Sequence, residues 1–156
     1  MKRTDLPAIV AIAEQAHPSF PEDLEVFAEK QRLFGPFCFT LEHDGAVAGY
    51  GFAHPWMRGR VPALNRLIGA PEKSPDCLFV HDVALAPQAR GKNAGGALIA
   101  RLAEVARDHG LDVMALVSLY GADRAWRRHG FVPTDIAKEA IAAYGPTALY
   151  MVRALR

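Results

Sequence analysis

The chain has 156 residues, of which 51% are hydrophobic and 22% are charged, an ordinary composition for a globular protein. This composition argues against intrinsic disorder, and no apolar run approaches the about 20 residues that a membrane helix needs. With 18 Lys and Arg against 17 Asp and Glu, the net charge of +1 is too small to favour nucleic acid as a partner. The length predicts a single domain over residues 1–156. The charge and the apolar pattern predict that neither nucleic acid nor a membrane is a partner.

The cysteine content and the first residues predict a cytoplasmic location. Residues 1–5 lack the apolar stretch of a signal peptide. Cys38 and Cys77 cannot form a disulfide framework, so a reducing compartment is the simpler interpretation. Neither cysteine has an adjacent basic residue that would activate its thiol. The histidines are scattered without closely paired ligands, so no metal site is expected.

The spacing of apolar residues predicts an alternation of helices and strands. Four helices are predicted, over 6–16, 22–34, 97–109 and 122–129. Five strands are predicted, over 37–42, 46–52, 78–85, 113–119 and 149–152. Asp44-Gly45 is a strong hairpin signal between the first two strands. The prolines between His54 and Asp76 predict a long loop, with a helical turn at 63–68. This order predicts an α/β (α+β) fold with a central mixed, largely antiparallel sheet.

The segment after the third predicted strand is rich in glycine and leads into a long helix. The first amides of a helix have no partner within it, and together with the helix dipole they form an anion site. Gly91, Gly95 and Gly96 would let a ligand approach the backbone closely, and Arg90 and Lys92 add positive charge. The segment predicts a phosphate or pyrophosphate cradle; the alternative is a glycine-rich turn that serves geometry only.

Three segments resemble one known family. Residues 83–95, Val-Ala-Leu-Ala-Pro-Gln-Ala-Arg-Gly-Lys-Asn-Ala-Gly, resemble the acetyl-CoA motif of the GNAT superfamily of N-acetyltransferases. Residues 125–131, Ala-Trp-Arg-Arg-His-Gly-Phe, resemble that family's late Tyr-x-x-x-Gly-Phe motif. The Asp44-Gly45 hairpin stands where the family has its second and third strands. The resemblance implies helices on both faces of the sheet and acetyl-CoA as the cosubstrate.

The resemblance also implies which residues bind acetyl-CoA. The main chain of Val83, Ala84 and Leu85 would contact the pantetheine arm, and Trp126 would wall the thioester pocket. Trp126 stands where the family usually has the tyrosine that protonates the departing thiolate, and an indole cannot act as that acid. Asn93 replaces the middle glycine of the loop but tolerates a positive φ. The pyrophosphate would be held by the segment Arg90, Gly91, Lys92, Asn93, Ala94, Gly95 and Gly96.

Three residues are candidates for the chemistry. A histidine is suited to general base catalysis near neutral pH, and some family members carry a working histidine at the position of His81. Alternation along the strand predicts His81 on the face of Val83 and Leu85, with Asp82 on the other face. Tyr120 is the substitute acid. For each of the three, the alternative is a structural role with its hydrogen bonds satisfied.

These residues lead to two hypotheses of different class. The first is an N-acetyltransferase that moves the acetyl group of acetyl-CoA to a primary amine of a small molecule or peptide, by direct attack in a ternary complex. The second is a non-catalytic sensor module of the same fold that binds acyl-CoA. By resemblance, the segment His54-Pro55-Trp56 would line the acceptor site; the alternative is an ordinary strand end. The sequence leaves the quaternary state open, with a homodimer among the options.

Overall fold

The computed structural model describes residues 1–155, and a six-stranded sheet runs through it. The helices are α1 Leu6–Ala16, α2 Leu24–Phe34, α3 Ala94–Asp108, α4 Asp123–Arg128 and α5 Lys138–Ile141. The strands are β1 Cys38–His43, β2 Ala46–Trp56, β3 Cys77–Leu85, β4 Val113–Ser118, β5 Val132–Pro133 and β6 Leu149–Ala154.

The sheet has the strand order β1-β2-β3-β4-β6-β5. Its one parallel pair is β3 with β4, and the other neighbours are antiparallel. Adjacent residues of β2 reach helices on opposite faces: the Phe52 ring lies 5.2 Å from that of Phe27 in α2, whereas a Cβ built at Gly51 would lie 2.6 Å from Leu98 of α3. The predicted mixed, largely antiparallel sheet with helices on both faces is confirmed.

Strand β2 runs four residues beyond its predicted end, through Pro55 to Trp56. Proline has no N–H to donate, but β1 pairs with β2 only as far as Phe52, so this part of β2 needs partners on the β3 side alone. The predicted helical turn at 63–68 does not form. Instead, the main-chain N–H groups of Ile68 and Gly69 donate to the Glu29 carboxylate at 2.6 and 3.0 Å. The loop 57–76 is thereby tied to α2.

Two short elements near the C-terminus are not predicted from the sequence. Strand β5 has only two residues, one of them a proline, and α5 has four. Neither is long enough to show a period of apolar residues. Strand β5 forms because β6, longer than predicted, offers it an edge, with Val132 opposite Val152. Elements of this kind depend on a neighbouring strand more than on their own sequence.

His54 is fully buried in a cluster of aromatic rings. Its ring centroid lies 5.0 Å from that of Trp56, 5.2 Å from Phe34 and 5.8 Å from Phe79. Its Nε2 has no hydrogen-bond partner among the described residues. Burial, assisted by the charge of His81, lowers the pKa of His54 well below 6.5. The structure therefore corrects the implied acceptor-site role for His54, which is a neutral core residue.

This burial predicts a pH-dependent effect of the substitution His54→Phe. Below pH 6.5 the unfolded chain takes up a proton at His54 that the folded chain rejects, so stability is full above pH 6.5 and falls as the pH decreases. We expect the melting temperature of the variant to fall less than that of the wild type between pH 7.5 and pH 5. Thermal unfolding at several pH values measures this difference. His109→Gln, at an exposed histidine, is the control, and equal slopes for His54→Phe and wild type would contradict the prediction.

Candidate active site

A cavity opens where β3 and β4 separate. The two strands pair only from Leu78 to Val80, opposite Met114 to Leu116, and both continue beyond that point. The cavity has a volume of about 160 Å³. It is lined from β3 by Val80, His81, Asp82 and Val83, and from other segments by His17, Phe20, Glu22, Leu64, Leu116, Val117, Leu119, Tyr120, Ala122, Trp126 and Tyr144. All three predicted catalytic residues, together with Trp126, therefore lie on one cavity.

His81 is held by a carboxylate from the segment before α2. Its Nε2 lies 3.1 and 3.2 Å from the two carboxylate oxygens of Glu22. The Lys30 ammonium donates to the same carboxylate at 3.2 Å. Both side chains of the His81–Glu22 pair are nearly buried, with 5% and 7% of their surface exposed. Burial opposes ionisation of Glu22, but the hydrogen bond and charge of His81, together with Lys30, hold its pKa at about 2.

This pairing decides which nitrogen of His81 can accept a proton. Because the Glu22 carboxylate is ionised, it accepts a hydrogen bond, so Nε2 of His81 is the donor. In a neutral imidazole the other nitrogen carries the lone pair. Nδ1 of His81 has no partner among the described residues. His81 thus has a fixed tautomer and an acceptor nitrogen, Nδ1, that is buried and without a partner among the described residues.

Asp82 contacts two other side chains of the cavity region. Its Oδ2 accepts a hydrogen bond from the Tyr50 hydroxyl at 2.7 Å, and its Oδ1 lies 2.9 Å from His17 Nε2. Burial lowers the pKa of His17, but its contact with the Asp82 carboxylate outweighs burial and raises the pKa above 6.5. The buried Tyr50 hydroxyl has a raised pKa beside this carboxylate. Asp82 is therefore built into a second charged group, Tyr50–Asp82–His17.

The predicted alternation along β3 is wrong at His81. Asp82 is opposite Phe52 and Val80 is opposite Ala53, so His81 is an extra residue with no partner in β2. Such a bulge places two consecutive side chains on one face of the sheet. His81 and Asp82 both reach partners on the α2 side, whereas Val83 pairs with Gly51, whose missing side chain would point to α3. His81 does not share the face of Val83, and Asp82 shares the face of His81.

Tyr120 lies at the mouth of the cavity, beyond the end of β4. It has a positive φ of 55° and 54% of its surface is exposed. Its ring stacks on that of His17 at 6.1 Å, with 8° between the planes. Trp126 of α4 lines the cavity and packs edge-on against Phe131 at 5.7 Å. Trp126 therefore contacts the core on one side and the cavity on the other.

The glycine-rich loop presents free amides at the start of α3. No described residue accepts a hydrogen bond from the main-chain N–H groups of residues 91–96, and the first bond of the helix is Ala97 N–H to Asn93 O, 3.0 Å. Gly91 and Asn93 have φ values of 75° and 56°, so both adopt the left-handed conformation that the loop needs. A Cβ built at Gly95 meets only Leu85 Cδ1, at 3.9 Å, so there is room for a side chain at this position.

The two cationic side chains of this loop, Arg90 and Lys92, both contact other groups of the protein. The Arg90 Nε donates to Leu85 O at 3.1 Å, and Lys92 Nζ lies 3.1 Å from His43 Nε2. The main chain of Val83, Ala84 and Leu85 pairs with β2 on one edge and faces the gap beside β4 with the other. An exposed strand edge of this kind can hydrogen-bond an extended amide-containing chain.

The arginines of α4 and the two cysteines show no sign of a functional role. Arg124, Arg127 and Arg128 of α4 are exposed, and Arg127 contacts Asp123 at 3.2 Å. The thiols of Cys38 and Cys77 are buried beside main-chain carbonyls, and burial raises the pKa of each to about 12. Neither thiol is an activated nucleophile.

The sequence analysis missed Glu22, Lys30 and His17 as members of the site. In the sequence, Glu22 marks only the start of the second predicted helix, 22–34. Lys30 carried a detectable signal, since it stands three residues after Phe27 and four before Phe34 on the apolar face of α2. A lysine there requires a buried partner. His17 carried no such signal, because it lies just beyond the end of α1.

Comparison with known proteins identifies the family. The model of the acetyltransferase (GNAT) family matches residues 6–131. The chain belongs to this family. No curated protein matches its sequence. Among solved structures, the loading GNATL domain of CurA from Lyngbya majuscula has a TM-score of 0.81 at 12% identity, with 99% of this chain and 95% of that one covered.

Two further GNAT structures are similar over nearly their whole lengths. The GNAT-like decarboxylase GphF, in complex with isobutyryl-CoA, has a TM-score of 0.80 at 19% identity, covering 100% of this chain and 97% of that one. The ribosomal-protein-S18-alanine N-acetyltransferase from Escherichia coli has a TM-score of 0.71 at 21% identity, covering 99% and 90%. At these identities the likeness shows the GNAT fold.

Family membership confirms acetyl-CoA as the cosubstrate, and this chain has the features to hold it. The free amides of residues 91–96 can receive the pyrophosphate. The unpaired edge of β3 at residues 83–85 can receive the pantetheine amides. Within residues 1–155, no helix is both long and apolar enough to cross a membrane.

Proposed function

We propose that this GNAT protein is an N-acetyltransferase that moves the acetyl group of acetyl-CoA to a primary amine by direct attack in a ternary complex. The observation that carries the proposal is the His81–Glu22 pair on the cavity between β3 and β4. A family member that only bound acyl-CoA would not need a histidine with a fixed tautomer there. The acceptor is the amine of a small molecule or a peptide.

In this mechanism His81 is the general base. Acetyl-CoA, when bound, supplies an acetyl thioester as the acyl donor. The acceptor nitrogen forms a bond to the acetyl carbon as the C–S bond breaks, and the amine proton passes to Nδ1 of His81. Glu22 is a positioning residue, since it holds Nε2 as the donor and stabilises the imidazolium that forms.

The remaining predicted residues have supporting roles in the proposal. Asp82 positions His17 and Tyr50, and Trp126 walls the thioester end of the cavity. Tyr120 is the proposed acid for the thiolate, which needs little help at neutral pH because a thiol pKa is near 8.5. The amides of residues 91–96 hold the pyrophosphate, beside Arg90 and Lys92. Two free, buried thiols suit a reducing cytoplasm.

One observation supports the alternative of a non-catalytic acyl-CoA sensor. Trp126 stands where the family usually has a tyrosine, and it cannot protonate a thiolate. A turnover experiment separates the two functions. The protein is incubated with acetyl-CoA and a broad library of amines and peptide N-termini, and acetylated products are detected by mass spectrometry. We expect at least one acetylated amine; calorimetric binding of acetyl-CoA with no product from any amine would favour the sensor.

A further inference from the structure

One irregular segment between α1 and α2, residues 17–23, supplies three of the side chains that line the cavity: His17, Phe20 and Glu22. The segment has few hydrogen bonds of its own. Phe20 N–H donates to His17 O at 2.9 Å, but Pro21 has no N–H. The N–H of Glu22 has no acceptor among the described residues. The position of this segment therefore depends on contacts from elsewhere in the chain.

Asn65, in the loop 57–76, makes such a contact. The N–H of the Glu22–Asp23 peptide donates to Asn65 Oδ1 at 2.8 Å, and Asn65 Nδ2 donates to Asp23 Oδ2 at 3.0 Å. Asp23 directly precedes α2, where an aspartate ordinarily accepts a hydrogen bond from the first amides of the helix. Its side chain makes no such bond. The Asp23 carboxylate thus binds the loop instead of capping its own helix.

The loop holds Asn65 in place on both sides. Pro62 O accepts a hydrogen bond from the Tyr144 hydroxyl at 2.8 Å, and Ile68 N–H donates to the Glu29 carboxylate at 2.6 Å. Asn65 itself has a positive φ of 48°, a conformation that asparagine adopts more readily than most residues. Its amide group therefore has a fixed position from which to hold the segment 17–23.

The anchored segment carries one partner of each histidine–carboxylate pair in the cavity. The Glu22 carboxylate lies 3.1 Å from His81 Nε2, and His17 Nε2 lies 2.9 Å from Asp82. Lys30 holds the carboxylate of Glu22, whereas Asn65 holds the main chain next to it. Both ends of Glu22 are thereby fixed, one from α2 and one from the loop 57–76.

We propose that Asn65 is a positioning residue, which anchors the segment 17–23 through Asp23 and thereby keeps Glu22 on His81. This inference rests on the proposed acetyltransferase function, because it concerns the tautomer of the proposed base. Asn65 does not line the cavity, so it acts through Glu22 and not on the reacting atoms. Its effect can still be large, since a displacement of about 1 Å in a catalytic group can cost about 10²-fold in rate.

Nuclear magnetic resonance of the imidazole nitrogens tests the inference on the protein alone. The variant Asn65→Gly removes both hydrogen bonds and keeps the backbone, because glycine readily adopts a positive φ. Histidine is labelled with ¹⁵N, spectra are recorded at pH 8, where an ordinary imidazole is neutral, and His81→Ala assigns the signals. The wild type should show one protonated and one unprotonated nitrogen for His81. In Asn65→Gly the two signals should move toward each other, since tautomer exchange averages them; unchanged signals would overturn the inference.

Exchanging the two paired side chains provides a rescue. Asn65→Asp alone places two carboxylates together and should change the His81 signals as Asn65→Gly does. Adding Asp23→Asn lets both hydrogen bonds form with the roles reversed, so the wild-type signals should return. Arg60→Ala is the control, because it removes the 2.9 Å contact with Glu72 within the same loop. No recovery in the double variant, or an equal change in Arg60→Ala, would overturn the inference.

Kinetics then connects the anchor to turnover. With the amine that the wild type acetylates fastest in the library described above, Asn65→Gly should lower kcat about tenfold or more and leave KM for acetyl-CoA unchanged. The same substitution in a Glu22→Gln background should cause no further loss, because Asn65 acts through that carboxylate. A wild-type kcat in Asn65→Gly, or a full further loss in the Glu22→Gln background, would overturn the inference. Absence of product with wild-type protein would count against the proposed function itself.

Discussion

Replacing His81 by alanine should lower kcat by about 10²–10⁴-fold, the usual cost of losing a general base. The affinity for acetyl-CoA should be nearly unchanged, because the free amides that hold the pyrophosphate lie in a different segment, residues 91–96. The physical reason is that His81 lines the cavity and has its tautomer fixed by Glu22, which leaves Nδ1, without a partner among the described residues, as its proton acceptor. Steady-state kinetics gives the rate, and calorimetry gives the affinity.

A pH profile separates this catalytic role from a structural one. Raising the pH should partly rescue His81→Ala, since more of the acceptor amine is then already neutral. His54→Phe is the control, because His54 is a buried histidine with its ring 5.6 Å from that of His81 and no place on the cavity. If His81→Ala keeps both the rate and the pH profile of the wild type, His81 is a core residue. Asp82 or a water held by the main chain would then be the next candidate base.

Most of the fold is predictable because its signals are local. Apolar periodicity marks the four longer helices and five of the strands, and Asp44 has the positive φ that its place in the hairpin turn requires. The glycine-rich loop is equally local, since free amides and a left-handed residue at Asn93 follow from its composition. The helical turn predicted at 63–68 is an exception, because the loop there is held by Glu29 of α2, a residue distant in sequence.

The arrangement of the candidate site is less predictable because it depends on register and on distant partners. The bulge at His81 arises from how β2 and β3 pair, and the sequence of residues 77–85 alone does not predict it. Its effect is large, since it brings Asp82 to the same face as His81. Glu22 reaches His81 across 59 positions of sequence. A strand pattern can identify a candidate histidine, but only the packed structure supplies its carboxylate.

The buried Lys30 connects the stability of α2 to the geometry of the site. Burial lowers the pKa of the Lys30 ammonium, while its contact with Glu22 opposes that effect. Leaving either charge alone in this environment would be costly. The Glu22–Lys30 pair therefore fixes the carboxylate at the position where His81 needs it. Lys30, a charged residue on the apolar face of α2, therefore holds in place the carboxylate that positions the proposed base.

The substitution Gly95→Glu should weaken acetyl-CoA binding by at least about 100-fold. A hydrogen bond to a charged group contributes roughly 1.5–3 kcal/mol, so loss of two such bonds from the amides to the pyrophosphate accounts for this effect. The new carboxylate would also repel the phosphates. A Cβ at Gly95 meets only Leu85, at 3.9 Å, so the backbone has room for the new side chain. Because this position has room and an acidic residue in the first turn stabilises a helix, we expect the variant to fold.

Calorimetric titration of acetyl-CoA into both proteins measures the change, with thermal unfolding to establish that the variant is folded. Ala97→Glu is the matched control, since it adds the same charge to an exposed position two residues further along α3. Its amide is already bonded to Asn93 O, so the control should bind acetyl-CoA within a few-fold of the wild type. If acetyl-CoA binds equally weakly to both variants, the added negative charge alone accounts for the loss of affinity. Unchanged binding in Gly95→Glu would remove the amides of residues 91–96 from the cofactor site.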